Sequence, residues 1–226
     1  MLKLHKASAR IAGITVLREI DLTMPPGQLI AVVGRNGAGK TTLLRVMMGL
    51  LPLSAGRITL DGIDLGGAPG HGRTALGMGY APEDRLIYPT ITVEENLRLP
   101  CEVLGLPTNQ IAQRLERVLD VVPQLAPMLA RSGAALSGGQ GKMAALGRAL
   151  MVGSRYVLLD EPFQGLAPVL ANQYAESLQR LHQSDPSLCI IVTESNRSLL
   201  RDLPDTTLTL ERGELQAMVA AESWKI

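Results

Sequence analysis

The sequence predicts an α/β fold: a mostly parallel sheet with flanking helices and a small helical subdomain inserted into it. Two observations predict this. Short apolar runs alternate with helical patterns along most of the chain, the order that builds a parallel sheet through crossover helices. Between about Thr92 and Ala135 the alternation stops, no β run appears, and short helical patterns are interrupted by Pro100, Pro107, Pro123 and Pro127.

The elements follow in order. A strand-like LKL opens the chain, and LIAVV at 29–33 leads into a helix after Gly39. RITL at 57–60 is the next strand. TVEE at 92–95 has the Thr-x-x-Glu spacing of a capping box, so a helix starts at Thr92. Further helical stretches fall around 111–122, 138–151 and 168–183. YVLL at 156–159 and CIIV at 189–192 are continuous apolar runs, the mark of strands buried on both faces, and TLTL at 207–210 closes the set. The chain therefore reads as one domain over residues 1–226. Its core lies at about 1–91 and 152–226, its helical subdomain at about 92–151. It has no internal repeat and no low-complexity segment.

Composition narrows the class. With 22 Lys and Arg against 21 Asp and Glu, the net charge of +1 offers no electrostatic basis for binding nucleic acid. No segment approaches the roughly 20 apolar residues of a membrane span, and the start does not read as a secretory signal. Cys101 and Cys189 lack metal-binding spacing and read as two reduced thiols. The expectation by elimination is a protein in the cytoplasm or on the cytoplasmic side of a membrane.

Three motifs carry chemistry. Gly34-Arg35-Asn36-Gly37-Ala38-Gly39-Lys40-Thr41-Thr42 is G-x-x-x-x-G-K-T between a strand and a helix. Its glycines let successive N–H groups turn inward at phosphate oxygens, and the helix adds its positive dipole end. Lys40 reaches the β- and γ-phosphates, and the Thr41 hydroxyl binds Mg²⁺. In YVLLDEP, Asp160 and Glu161 project from the end of an apolar strand. Asp160 is placed to hold Mg²⁺, directly or through water, and Glu161 to take a proton from a water attacking the γ-phosphate. In LSGGQ (136–140), Ser137 and Gln140 have capping-box spacing. Ser137, Gly138 and Gly139 thus form a bare helix N-terminus, a second anion site.

Together, and in this order, the motifs resemble the nucleotide-binding subunits of ATP-binding cassette (ABC) transporters, over about residues 2–216. The resemblance implies a P-loop NTPase core of the ABC ATPase type, with an antiparallel N-terminal β portion. It implies ATP and Mg²⁺ as ligands. It also implies a head-to-tail dimer in which Ser137, Gly138, Gly139 and Gln140 cap the ATP held by the other subunit. GYAPEDRLIYPTITVEENLRL (79–99), GRALM (147–151) and EPFQGLAP (161–168) are similar to the shorter ATPase of branched-chain amino-acid, amide and urea importers. That likeness implies membrane permeases, a second ATPase subunit (the same or different), and indirectly a periplasmic solute-binding protein. The place implied is the cytoplasmic face of the inner membrane, as a peripheral subunit.

Some positions depart from the family pattern. Where relatives stack adenine on an aromatic residue, this chain aligns Ile11, which implies weaker ATP affinity or looser purine choice. Glu83 stands where many members have a glutamine touching the metal and the attacking water, a role a carboxylate can fill. Ser195 occupies the slot of a histidine that bonds the γ-phosphate, and can serve only as a shorter, uncharged contact. Gly141 and Lys142 replace the polar Gln or Arg that commonly follow LSGGQ, with no role assigned from sequence. The function expected is ATP hydrolysis coupled to solute import, with Glu161 as the catalytic carboxylate. The alternatives are a low-turnover regulatory subunit paired with a second ATPase, and a non-transport ABC ATPase. The latter commonly carries a long coiled coil or two cassettes in one chain, and this sequence has neither.

Overall fold

The structure is a computed structural model that describes residues 1–84, 86–200 and 202–220, so the last six residues of the expected domain lie outside the described part. β1 (Leu2–Ile11) and β2 (Ile14–Met24) form a hairpin. β3 (Leu29–Val33) runs through the glycine-rich loop into α1 (Lys40–Met47). Next come β4 (Ala55–Leu60), β5 (Ile63–Asp64), α2 (Gly70–Ala75) and β6 (Met78–Ala81). Three helices follow, α3 (Val93–Val103), α4 (Thr108–Val121) and α5 (Gly138–Val152). The chain then returns through β7 (Tyr156–Asp160), α6 (Pro168–Ser184), β8 (Cys189–Glu194), β9 (Thr206–Glu211) and β10 (Glu214–Ala220).

The larger sheet has the order β10-β9-β3-β8-β7-β6, parallel from β9 to β6 with β10 antiparallel at one edge. The smaller sheet, β2-β1-β4-β5, is antiparallel and N-terminal, as the family resemblance implies. Side chains on the central strands alternate between two cores, as the period-2 geometry of a strand requires. Leu29, Ala31, Val157, Leu159, Ile190 and Val192 pack against α3–α6. Ile30, Val32, Tyr156, Leu158, Cys189 and Ile191 face α1 and the antiparallel sheet. Burial on both faces accounts for the unbroken apolar runs in β3, β7 and β8.

Both expected capping boxes are present. The Thr92 hydroxyl accepts from Glu95 N while the Glu95 carboxylate accepts from Thr92 N, and Ser137 and Gln140 exchange the same pair of bonds. The prolines interrupt the helical segment less than the sequence suggests. Pro107 caps α4 and Pro123 opens a 3₁₀ turn, but α3 continues through Pro100. Pro100 sits in its last turn, where one bond is forgone and Leu104 N still reaches Pro100 O at 3.2 Å. The bundle packs α5 directly on β6. A side chain at Gly79 would put its Cβ 2.1 Å from Ala149 O, so only glycine admits that approach.

Candidate active site

The carboxyl ends of β3, β7 and β8 meet at one place, the position where open α/β sheets hold their ligands. β3 delivers the glycine-rich loop, and Gly34 N ties it to β8 through Glu194 O at 3.1 Å. Gly39 is the N-cap of α1 with φ 109°, a left-handed conformation natural only to glycine. Its missing side chain also admits Leu17 and Val16, whose atoms stand 3.0 and 3.2 Å from the Cβ position. The first turn of α1 has neither a side-chain cap nor an acidic residue, so its N–H groups are available to an anion. Arg35, Asn36 and Gly37 are exposed around it, whereas Gly34, Ala38 and Thr42 are buried and Thr41 half-buried.

Lys40 is 5% exposed, and its ammonium donates to Gly34 O at 2.6 Å and to Arg35 O at 3.2 Å. It also pairs with Glu161 Oε1 at 3.0 Å. β7 supplies the acids. Asp160 Oδ1 accepts from Thr193 Oγ1 at 2.7 Å and Thr41 Oγ1 at 3.2 Å, and Oδ2 accepts from Tyr80 at 3.3 Å. Burial, and then the Asp160 charge, raises the Tyr80 phenol well above its ordinary range, so it stays a donor.

Glu161 follows with φ 45°, left-handed for a non-glycine residue. Its N–H reaches Thr193 O and Oγ1 at 3.1 and 3.2 Å, and its carbonyl accepts from the Lys142 ammonium at 2.6 Å. Its second carboxylate oxygen accepts from Ser195 Oγ at 3.0 Å. Ser195 was expected as a γ-phosphate contact; its bond here is to the Glu161 carboxylate. Beyond it, Glu194 is fully buried, accepts from Phe163 N at 2.9 Å and leaves Oε2 without a hydrogen bond. Burial foremost, with the nearby Glu161 charge, pushes its carboxyl up to about 7.

Val16, Gly37, Lys40, Thr41, Glu83 and Glu161 line one open cleft of about 250 Å³. Glu83 is an exposed side chain whose carboxyl is raised by burial, then by the Glu161 and Asp160 charges. Several expected residues lie outside this lining: Gly34, Arg35, Ala38 and Ser195 line a neighbouring cavity of about 510 Å³, Asp160 lines neither, and Ile11 and the LSGGQ segment stand apart. Ile11 ends β1 and is 43% exposed, while Val16 is the apolar residue at the cleft. Ser137 and Gly138 are exposed, and Gly139 and Gln140 half-buried, at the N-terminus of α5. Gly139 also has a reason within its own chain, since a Cβ there would stand 2.3 Å from Leu170 Cδ1. Thr193, Tyr80 and Lys142 were not singled out for this centre. The polar Thr193-Glu194-Ser195 that follows the apolar CIIV run was the available signal for Thr193, and no spacing rule points to the other two.

Among the described residues no group of three His, Cys, Asp or Glu is arranged to hold a metal. The donors at hand are Asp160, the Thr41 hydroxyl and, nearby, Glu83, all hard oxygens. They fit a Mg²⁺ ion that takes its other ligands from phosphate and water. The arrangement suits phosphoryl transfer: an anion cradle, a cation, a pair of metal-binding oxygens and a held carboxylate.

The family model described as ABC transporter matches residues 17–164. The chain is 31% identical over 215 residues to the probable branched-chain amino acid transport ATP-binding protein LivF of Archaeoglobus fulgidus, covering 95% of this chain and 90% of that one. It is 30% identical over 204 residues to the lipopolysaccharide export system ATP-binding protein LptB of Haemophilus influenzae, covering 89% and 83%. Dimeric MJ0796, a bacterial ABC transporter cassette, superposes with a TM-score of 0.85 at 21% identity over 98% and 99% of the two chains.

Proposed function

We propose a function from one premise: the chain belongs to the ABC transporter family, as an ATP-binding, ATP-hydrolysing cassette. On this reading it is the ATPase subunit of an importer for branched-chain or other hydrophobic amino acids, or related amides. It lies peripherally on the cytoplasmic face of the inner membrane and docks on permease subunits fed by a periplasmic solute-binding protein. The likeness to LivF and the 79–99 and 161–168 motifs support the solute class. The export relative LptB is equally near in identity, so the solute assignment rests on those motifs as much as on overall similarity. Among the described residues no helix is long and apolar enough to cross a membrane, which suits a docked subunit. The docking surface is the loop after Tyr80 with the helical subdomain at about 92–151, where Leu86 and Tyr88 are exposed. Two such subunits, identical or not, close head to tail on two ATP molecules, each presenting Ser137, Gly138, Gly139 and Gln140 to the other's γ-phosphate.

The observation that carries the catalytic part is the Lys40–Glu161 ion pair beside the Thr41–Asp160 hydrogen bond. Phosphate oxygens of ATP take the place of the Glu161 carboxylate on Lys40, supported by the loop amides and the α1 dipole. Glu161, released from the ammonium and still held by Ser195, orients and deprotonates the attacking water. Asp160 and Thr41 would hold Mg²⁺, whose charge would offset that of the β- and γ-phosphates. The adenine rests over Ile11 and Val16 without an aromatic stack. The test is ATP turnover of the subunit assembled with its permeases, wild type against Glu161→Gln. We expect the variant to lose at least about 100-fold in kcat while binding ATP at least as tightly, because a competitor for Lys40 is removed. Equal rates above background would sink the catalytic assignment.

A further inference from the structure

Lys142 was left without a role by the sequence, and the Lys40–Glu161 chemistry does not use it. It lies on α5, five residues after Ser137, and only 9% of it is exposed. Its ammonium stands 2.6 Å from the main-chain oxygen of Glu161. Burying an ammonium is unfavourable without close partners. The contact therefore has a direction: it joins α5 to one particular peptide, the one that carries the catalytic carboxylate.

That peptide is in an unusual state. Glu161 is held at φ 45°, a conformation that persists in a non-glycine residue only when its surroundings fix it. Two anchors do so. Thr193 on β8 takes the N–H, and Lys142 on α5 supplies a charge-assisted bond to the C=O. The β8 anchor belongs to the rigid sheet. The α5 anchor belongs to a helix whose capped N-terminus is the LSGGQ segment.

We infer that Lys142 is a positioning residue for Glu161, linking the LSGGQ helix to the catalytic carboxylate of the same subunit. The inference rests on the reading given under Proposed function, in which Glu161 is the catalytic base and LSGGQ meets the partner's ATP. A shift of α5 when its N-terminus engages that ATP moves the Lys142 ammonium, and with it the Glu161 peptide. Each subunit's own carboxylate is thereby set by occupancy of the opposite site, which couples the two ATP sites through this contact.

The test is a double-mutant cycle on the full chain with its permeases, using Lys142→Met, Lys142→Arg, Glu161→Gln and the Met/Gln double variant. Lys142→Met keeps most of the side chain, one atom shorter and unbranched, and removes the donor. We expect its kcat to fall about tenfold or more with KM for ATP within about twofold, and Lys142→Arg to recover most of the loss. In the Glu161→Gln background Lys142→Met should leave the residual rate unchanged, because the group it positions is already gone. A purely structural role predicts the opposite: Lys142→Met lowers the residual rate by the same factor as in wild type. That result, or wild-type kcat in Lys142→Met, would overturn the inference. If Lys142→Met gives no cooperative thermal transition, Lys142→Leu, which also removes the donor, carries the same cycle, non-additivity supporting the inference and additivity overturning it. A full-rate Glu161→Gln would remove the catalytic assignment and this inference together. A crippled Glu161→Gln beside a full-rate Lys142→Met would remove this inference alone.

Discussion

Ser195 illustrates what a single residue can and cannot show before its neighbours are known. Its place after the β8 strand pointed to the active centre, and its short uncharged side chain pointed to a weak phosphate contact. In the folded chain its hydroxyl donates to Glu161 Oε2 at 3.0 Å, so its first partner is the carboxylate. A hydrogen bond to a charged group contributes about 1.5–3 kcal/mol, part of which water recovers at a half-buried site. Ser195→Ala should therefore lower kcat by roughly 3- to 30-fold while KM for ATP changes little, read from steady-state kinetics. A rise in KM at constant kcat would mean that Ser195 holds nucleotide instead. The strand–loop–helix shape around residues 34–42 was legible because each position in it answers to a local demand, left-handed backbone or dipole or charge. Lys142 was not, because its partner is a carbonyl 19 positions away on a different element.

At the scale of elements, α1 is stabilised from the end opposite its phosphate cradle. Arg73 of α2 is 3% exposed and spreads its guanidinium over four carbonyls. It donates to Val46 O and Met47 O at 2.5 and 2.7 Å, Leu65 O at 2.7 Å and Ala68 O at 3.1 Å. A cation there satisfies carbonyls left over at the helix C-terminus and complements its dipole. Arg73→Ala leaves those buried acceptors without it and should destabilise the domain by about 2–4 kcal/mol, lowering Tm by roughly 5–15 °C in a thermal melt. Arg73→Lys should recover less than half, since an ammonium cannot reproduce the planar fork. Legibility at this scale followed regularity. β3, β7 and β8 were readable because burial on both faces makes them unbroken apolar runs. β2 was not, since its buried residues Leu17, Ile20, Leu22 and Met24 lose the period of two at Glu19, which has φ 43°. Lys6 on the paired strand has the same φ and a register shift beside it, a matched bulge that hides the alternation. β6 was hidden for another reason, because α5 lies so close that glycine replaces the β-branched residue a strand pattern needs.

Across the whole molecule, the two cores leave the candidate active centre at the seam where three strand ends meet, and the acids gathered there affect global stability. Glu194 is the extreme case, fully buried with one carboxylate oxygen lacking a hydrogen bond. The groups acting on it are the Glu161 carboxylate, which raises its pKa, and the Lys142 ammonium with the Phe163 and Ser195 main chain, which lower it; the buried Tyr174 phenol senses its charge. The net result is a folded value of about 7 against an ordinary 4.5. For a carboxyl raised on folding, the contribution to stability is full below about pH 4.5 and is lost as pH rises toward 7. Asp185 has the opposite sign: its lowered carboxyl supports the fold above its unfolded value and ceases to do so in acid. The Glu194 shift corresponds to about 3 kcal/mol between its two protonation states, before discounting for relaxation. Glu194→Gln keeps an acceptor for Phe163 N and cannot ionise. Its stability relative to wild type should therefore climb by about 1–3 kcal/mol between pH 5 and pH 8, measured by urea unfolding at each pH. Groups that titrate alike in both proteins, Asp185 among them, cancel in that difference. A difference that stays flat with pH would mean that Glu194 is ionised at its ordinary value, with the Lys142 ammonium close enough to offset its burial.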